Sequence, residues 1–191
     1  MCWSCSDNNH VLEAAIRTAA DREILMFSSV EDTGRFRDIG FPANLPNVFG
    51  VSAAKSNGKL FEFNPLSSTS SYNFSFPGEG MKGLSPETSG ADIASTTSFA
   101  TAVAAGVAGN LLDFFRQPVC QNLREHPITI ADIGSVFDAM TIHYMGQLRY
   151  VAPWELLRKT LGSQDRAEKR AQLALLFSQV GQYHFHVAIC C

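Results

Sequence analysis

The chain has 191 residues, of which 46% are hydrophobic and 17% charged. That length suits a single core, and the apolar fraction is that of a globular protein, so a compositionally disordered chain is excluded. With 15 Lys+Arg against 18 Asp+Glu, the net charge of −3 leaves no basic footprint for nucleic acid or an anionic membrane surface.

The first predicted element is a helix over residues 11–20, with Val11, Leu12, Ala15, Ile16 and Ala19 on one face. Residues 23–29 (EILMFSS) form an apolar run of the length expected for a buried strand, and Glu31-Asp32-Thr33-Gly34 reads as a loop. A turn-rich lead, Phe41 to Pro46, enters a second short strand at residues 48–53. Helix, strand, loop and strand in this order predict an α/β sheet. Residues 64–90 are rich in Ser, Pro, Gly and Asn and read as surface loops around a brief strand and turn, Phe74-Ser75-Phe76-Pro77-Gly78. Helical periodicity returns over residues 98–115, and then through Ile133, Val136, Phe137, Met140 and Tyr144. A last helix is expected from Ser163 as N-cap to Gly181, with Ala167, Ala171, Ala174 and Phe177 on one face. The apolar stretch 99–115 contains Asn110 and Asp113 and is dominated by Ala and Gly, which favours a buried helix over a membrane span. The opening residues lack a basic segment followed by an apolar run, so the expected location is the cytoplasm.

Five cysteines (Cys2, Cys5, Cys120, Cys190 and Cys191) make an odd, end-weighted set that fits a reducing compartment better than a disulfide framework. Cys2-Trp3-Ser4-Cys5 has metal-knuckle spacing, and His184-Phe185-His186 alternates like a ligand pair. Neither has a partner group at zinc spacing, so no metal and no cofactor are expected. His10, His126 and His143 are read as structural or solvent-exposed, with His10 before a helix and His143 on one.

Chemistry concentrates in residues 95–106 (STTSFATAVAAG), where polar and β-branched residues give way to a small-residue helix. Ser98 falls at the start of that helix, where unpaired N–H groups and the positive dipole end converge. A nucleophilic serine gains there, because its attack creates an oxyanion those N–H groups stabilise. Spacing alone also allows a simple N-cap serine opening a core helix.

The run Thr97-Ser98-Phe99-Ala100-Thr101-Ala102, ending in Ala104-Ala105-Gly106, resembles the nucleophile motif of subtilisin-like serine peptidases, the subtilases. Phe41-Pro42-Ala43 with the strand after it is similar to that family's proline-rich turn, and Phe76-Pro77-Gly78 to its Pro-Gly turn. Val151-Ala152-Pro153-Trp154 looks like the tail of divergent fungal-type members. The resemblance covers residues 1–160, leaving 161–191 as a C-terminal helix and tail. It implies a three-layer α/β fold with a mainly parallel sheet, the N-terminal part of the domain being absent, and peptide-bond hydrolysis. By this resemblance Ser98 is the nucleophile, and Asp32 stands at the oxyanion-hole position in place of the usual Asn. Trp3, Ser4, Ser29 and Thr96 are implied to line the substrate cleft, with Thr96 replacing the family's glycine.

Asp32-Thr33-Gly34 also spells the aspartic-protease signature, but in a single copy. The family's histidine and aspartate precede all of these motifs, and no histidine here is followed by Gly-Thr. The chain therefore reads as the C-terminal half of a catalytic domain, with a peptide or protein substrate and the missing N-terminal half as expected partners. The alternatives are a non-catalytic remnant that binds peptide or protein, and a small α/β binding module in which Ser98 only caps a helix.

Overall fold

Asn9 starts the first helix: its Oδ1 accepts from Val11 N–H at 3.0 Å and Leu12 N–H at 3.1 Å, so α1 runs His10–Ala20. Leu12 and Ile16 pack toward Phe41 and Val48. Val11 is 82% exposed and Ala15 is exposed, so the inward stripe is narrower than the face expected from the sequence. The stripe follows the i, i+4 step from Leu12 to Ile16, and Val11 and Ala15 stand about 100° around the helix from it. The chain leaves α1 by two closing bonds, Glu23 N–H to Ala20 O and Ile24 N–H to Ala19 O, with Glu23 at φ 58°. That turn consumes the start of the apolar run, and β1 is only Phe27–Ser29.

The computed structural model describes residues 1–5, 9–32, 34, 38–65, 72–84, 91–121, 127–144, 148–155 and 168–175. β1, β2 (Phe49–Ala54) and β3 (Asn73–Pro77) pair in parallel, and with β6 (Thr141–Tyr144) and β7 (Leu148–Val151) they form a five-stranded sheet of order β1-β2-β3-β7-β6. β3 also pairs in parallel with β7 through Ser75 and Tyr150. Most of β2 is buried, as expected of a parallel strand covered on both faces. Phe27 and Phe49 are register partners whose rings stack at 4.9 Å and 14°, and Phe74 lies 6.1 Å from Phe49. These cross-strand aromatics fix the register of the three strands. The structure is thus the expected mixed α/β fold with a mostly parallel sheet.

The polar segment read as loops also contains β4 (Met81–Leu84), which pairs antiparallel with β5 (Ala91–Ala94) just beyond it. These strands are four residues each, too short for an alternation that composition would reveal. The 20-residue helix α2, Thr97–Arg116, follows. Its buried positions (Ala100, Thr101, Ala104, Ala108, Leu111 and Phe115) lie on one face, while Ala102, Ala105, Gly106 and Gly109 are exposed. α2 is long and apolar enough to cross a membrane by length and composition, and 33% of its apolar window is buried, not the whole.

The chain divides into two compact units, Met1–Gly106 with His143–Tyr150, and Val107–Ile142 with Val151–Cys191. In the second, α3 is Pro118–Gln121 and α4 is Ile130–Ala139, opened by a Thr129/Asp132 capping box. Ile133, Val136 and Phe137 are buried as the periodicity predicts. His143 and Tyr144 do not continue the helix but belong to β6 (Thr141–Tyr144), ahead of β7 (Leu148–Val151). The β-branched pair Thr141-Ile142 ends the helical run, and Thr141 Oγ1 donates to Phe137 O at 2.8 Å. Residues 168–175 are helical, with Ala174 buried and Ala171 exposed. Ser163, Ala167, Phe177 and Gly181, like the pair His184 and His186, lie outside the described residues.

Asn64, fully buried, completes the sheet at β2. Its Oδ1 accepts from Ala53 N–H at 2.9 Å, and its Nδ2 donates to Ala53 O at 2.5 Å and to Phe61 O at 3.0 Å. Asn64→Ala leaves the buried Ala53 N–H without its acceptor and should cost about 1–3 kcal/mol, read as a lower urea midpoint at unchanged slope. An unaltered midpoint would contradict the assignment of the amide as the Ala53 partner.

Candidate active site

The site is hung on Gly78, the residue after β3. Gly78 N–H donates to Ala54 O at 3.0 Å, and Thr96 N–H donates to Gly78 O at 3.0 Å. A Cβ at Gly78 would stand 2.7 Å from Ala53 Cβ, 2.9 Å from Thr96 O and 3.1 Å from Ala100 Cβ. Only glycine lets the ends of β2 and β3 approach the start of α2 this closely. Gly80 N–H adds a bond to Ser95 Oγ at 3.0 Å, fixing the approach to the helix. The Pro77-Gly78 turn singled out in the sequence is therefore the joint between sheet and helix.

At that joint Thr97 is buried and its carbonyl accepts from Thr101 Oγ1 at 2.8 Å. Ser98 follows in the first turn of α2, half-buried. Its Oγ donates to Cys2 O at 3.3 Å, and Cys2 Sγ approaches Ser98 O at 3.6 Å. Residues 1–4 reach this position alongside β1. Met1 N donates to Phe27 O at 2.5 Å and Ser29 N–H to Met1 O at 3.2 Å, the bonding pattern of a parallel ladder. Ser28 Oγ donates to Trp3 O at 3.4 Å. Beside them Met1, Cys2, Met26, Phe27, Ala102 and Ala105 line an apolar hollow of about 330 Å³.

Asp32 lies at the other side of the serine. Its Oδ2 accepts from Thr96 Oγ1 at 2.6 Å and its Oδ1 from Thr97 N–H at 3.1 Å. Ser98 N–H in turn donates to Thr96 Oγ1 at 3.2 Å. The carboxylate thus caps the start of α2, where a negative charge is favoured by the free amides and the helix dipole.

Three of the sequence-derived residues come together at the start of α2. Ser98, Thr96 and Asp32 are linked by hydrogen bonds; Trp3 is 43% exposed, Ser4 is half-buried, and Ser29 is buried within β1. Two contacts had no signal in the sequence: the Cys2 main chain against Ser98, and Asp32 as a cap for α2. Each joins residues more than sixty positions apart, beyond any local spacing rule. Cys2 and Cys5 do not come together with histidine or carboxylate ligands: among the described residues no group of three His, Cys, Asp or Glu could hold a metal ion. His10 is the exposed first residue of α1.

A mainly parallel sheet, ending in a glycine joint to a small-residue helix that opens on a serine, defines a subtilisin-like domain. Residues 1–144 match the model of the subtilase family, Peptidase S8, and the chain belongs to that family. Among solved structures it is similar to the PatG macrocyclase in complex with peptide, with a TM-score of 0.61 and 22% identity over 74% of this chain and 41% of that one. The prenylagaramide maturation protease PagA gives a TM-score of 0.63 and 21% identity over 93% and 58% of the two chains. The patellamide maturation protease PatG gives 0.59 and 23% over 69% and 39%. At these identities the likeness is one of fold, and the chain spans 39–58% of the length of the structures it matches. No curated protein matches the sequence.

Gly78→Ala should destabilise the protein by about 1–3 kcal/mol, because the new methyl meets backbone and two Cβ atoms at once. Thermal melting of Gly78→Ala beside Ser98→Ala separates the joint from the serine: the first should lower Tm clearly, the second by far less.

Proposed function

We propose that this chain is the nucleophile-bearing part of a subtilisin-like serine endopeptidase that acts on peptide or protein substrates through Ser98. In this chemistry Ser98 Oγ bonds to the carbonyl carbon of the scissile peptide while its proton passes to a base. The base returns the proton to the amine as the C–N bond breaks, leaving an acyl ester on Ser98. Water then cleaves the ester, releasing the acid and restoring the hydroxyl. The observation that carries this reading is the placement of Ser98 in the first turn of α2, its hydroxyl directed at the Cys2 main chain within the segment matched by the family model.

The family's histidine precedes the motifs found here, so we assign the general base to the N-terminal half of such a domain. The 39–58% span of the similar structures supports that division. Those structures are a macrocyclase with peptide and maturation proteases, and a peptide is the substrate class inferred for Ser98. A second reading, a cleft that binds peptide without cleaving it, is favoured by one observation: Ser98 N–H is already engaged by Thr96.

A fluorophosphonate probe should label Ser98 in the chain joined to a subtilase N-terminal half, and Ser98→Ala should remove the label. Peptide binding with no label at Ser98 would move the assignment to the second reading. In the same joined protein Asp32→Asn places an N–H donor beside the serine. Turnover near neutral pH should then rise, within the roughly 10²–10³ that one oxyanion donor contributes in subtilisin itself. An unchanged or lower rate would refute the oxyanion position of Asp32.

A further inference from the structure

Resting on the assignment of Ser98 as nucleophile, we propose that Thr96 and Asp32 form an internal latch that occupies the anion-stabilising position at Ser98. Acyl transfer needs hydrogen-bond donors aimed where negative charge develops, and the amide of a nucleophile at a helix start is such a donor. In this chain that amide is taken: Ser98 N–H donates to Thr96 Oγ1 at 3.2 Å. A threonine hydroxyl has one proton to give, and Thr96 gives it to Asp32 Oδ2 at 2.6 Å, which turns its lone pairs toward Ser98 N–H. The other Asp32 oxygen accepts from Thr97 N–H at 3.1 Å. One carboxylate and one hydroxyl therefore hold two consecutive amides, those of Thr97 and Ser98. The charge these amides would stabilise in a transition state is already supplied by the protein.

The latch turns on a side chain and not on the backbone. Thr96 N–H is anchored to Gly78 O at 3.0 Å, so rotation about the Thr96 Cα–Cβ bond frees Ser98 N–H without moving the start of α2. Asp32 is exposed, so its carboxylate can leave Thr96 for water. Thr96 and Asp32 are positioning residues in this scheme: they act through the Ser98 amide and hold the resting chain in a form with low acyl-transfer reactivity. An ordinary N-cap would use the same Thr96–Ser98 bond for stability alone, and the reactivity of Ser98 separates the two roles.

Amide hydrogen exchange by NMR and the rate of fluorophosphonate labelling, both on the chain joined to a subtilase N-terminal half, test the latch. Thr96→Ala keeps the main-chain bond to Gly78. It should speed exchange at Ser98 N–H by about tenfold, the equivalent of one lost hydrogen bond, and raise the labelling rate of Ser98. Thr96→Ser, which retains the hydroxyl, should restore both values. Thr96→Val, of the same shape but without the hydroxyl, provides the same two measurements if Thr96→Ala does not fold. Unchanged exchange at Ser98, or faster exchange while Ser98 labels at the unaltered rate, would overturn the latch. Faster exchange with no labelling of any variant would instead overturn Ser98 as nucleophile.

Discussion

The missing Cβ of Gly78 sets how far the nucleophile helix stands from the sheet. Three elements converge on this residue: β2 through Ala54 O, β3 directly, and the start of α2 through Thr96 N–H. The nearest atoms around the absent methyl lie at 2.7–3.1 Å, so there is no slack in which a larger residue could settle. Everything chemical about the site is referred to that joint. Thr96 is fixed by it, Ser98 follows two residues later, and Asp32 reaches the same amides from the far end of β1.

The arrangement at Ser98 combines two opposed tendencies. A helix start offers amides to an anion, which suits acyl transfer, yet here an acidic side chain from the same domain takes that place. The N–H groups are satisfied, and the cost of exposing them falls on whatever displaces the hydroxyl or the carboxylate. The apolar face of α2 follows a related logic. Ala100, Ala104 and Ala108 are buried on one side while Ala102, Ala105 and Gly106 face outward, so the helix has a composition suited to burial on both sides and burial on one.

What the sequence disclosed was mostly local. Ser98 could be placed because the polar run before it and the small-residue run after it adjoin, and a helix start needs no distant information. The three parallel strands were legible as short apolar runs between turn signals. Val11 was placed on the wrong side because the inward stripe of α1 is narrower than its apolar content. The strand at Thr141–Tyr144 was hidden because Met140 and Tyr144 extend the helical spacing of Ile133, Val136 and Phe137 by coincidence. The β4–β5 hairpin escaped because its pairing lies in main-chain bonds, which composition does not record. The Asp32 cap and the Cys2 contact escaped for a stronger reason, since each depends on tertiary neighbours that no periodicity can bring together.

Asn64 has a consequence of another kind. β1 ends at Ser29 opposite Val51, whereas β2 continues to Ala54. Val51 and Ala53 turn their main-chain groups to the same side, and Val30 N–H meets Val51 O there. Past that point β1 gives no partner, and residues 59–61 return beside the end of β2, with Phe61 N–H donating to Ala53 O at 3.0 Å and Leu60 bridging Ala54. The Asn64 amide supplies both halves of the missing rung at Ala53, donor and acceptor, from a single side chain. A carboxamide here does the work of a peptide group, and with Phe61 N–H it leaves both main-chain groups of Ala53 paired.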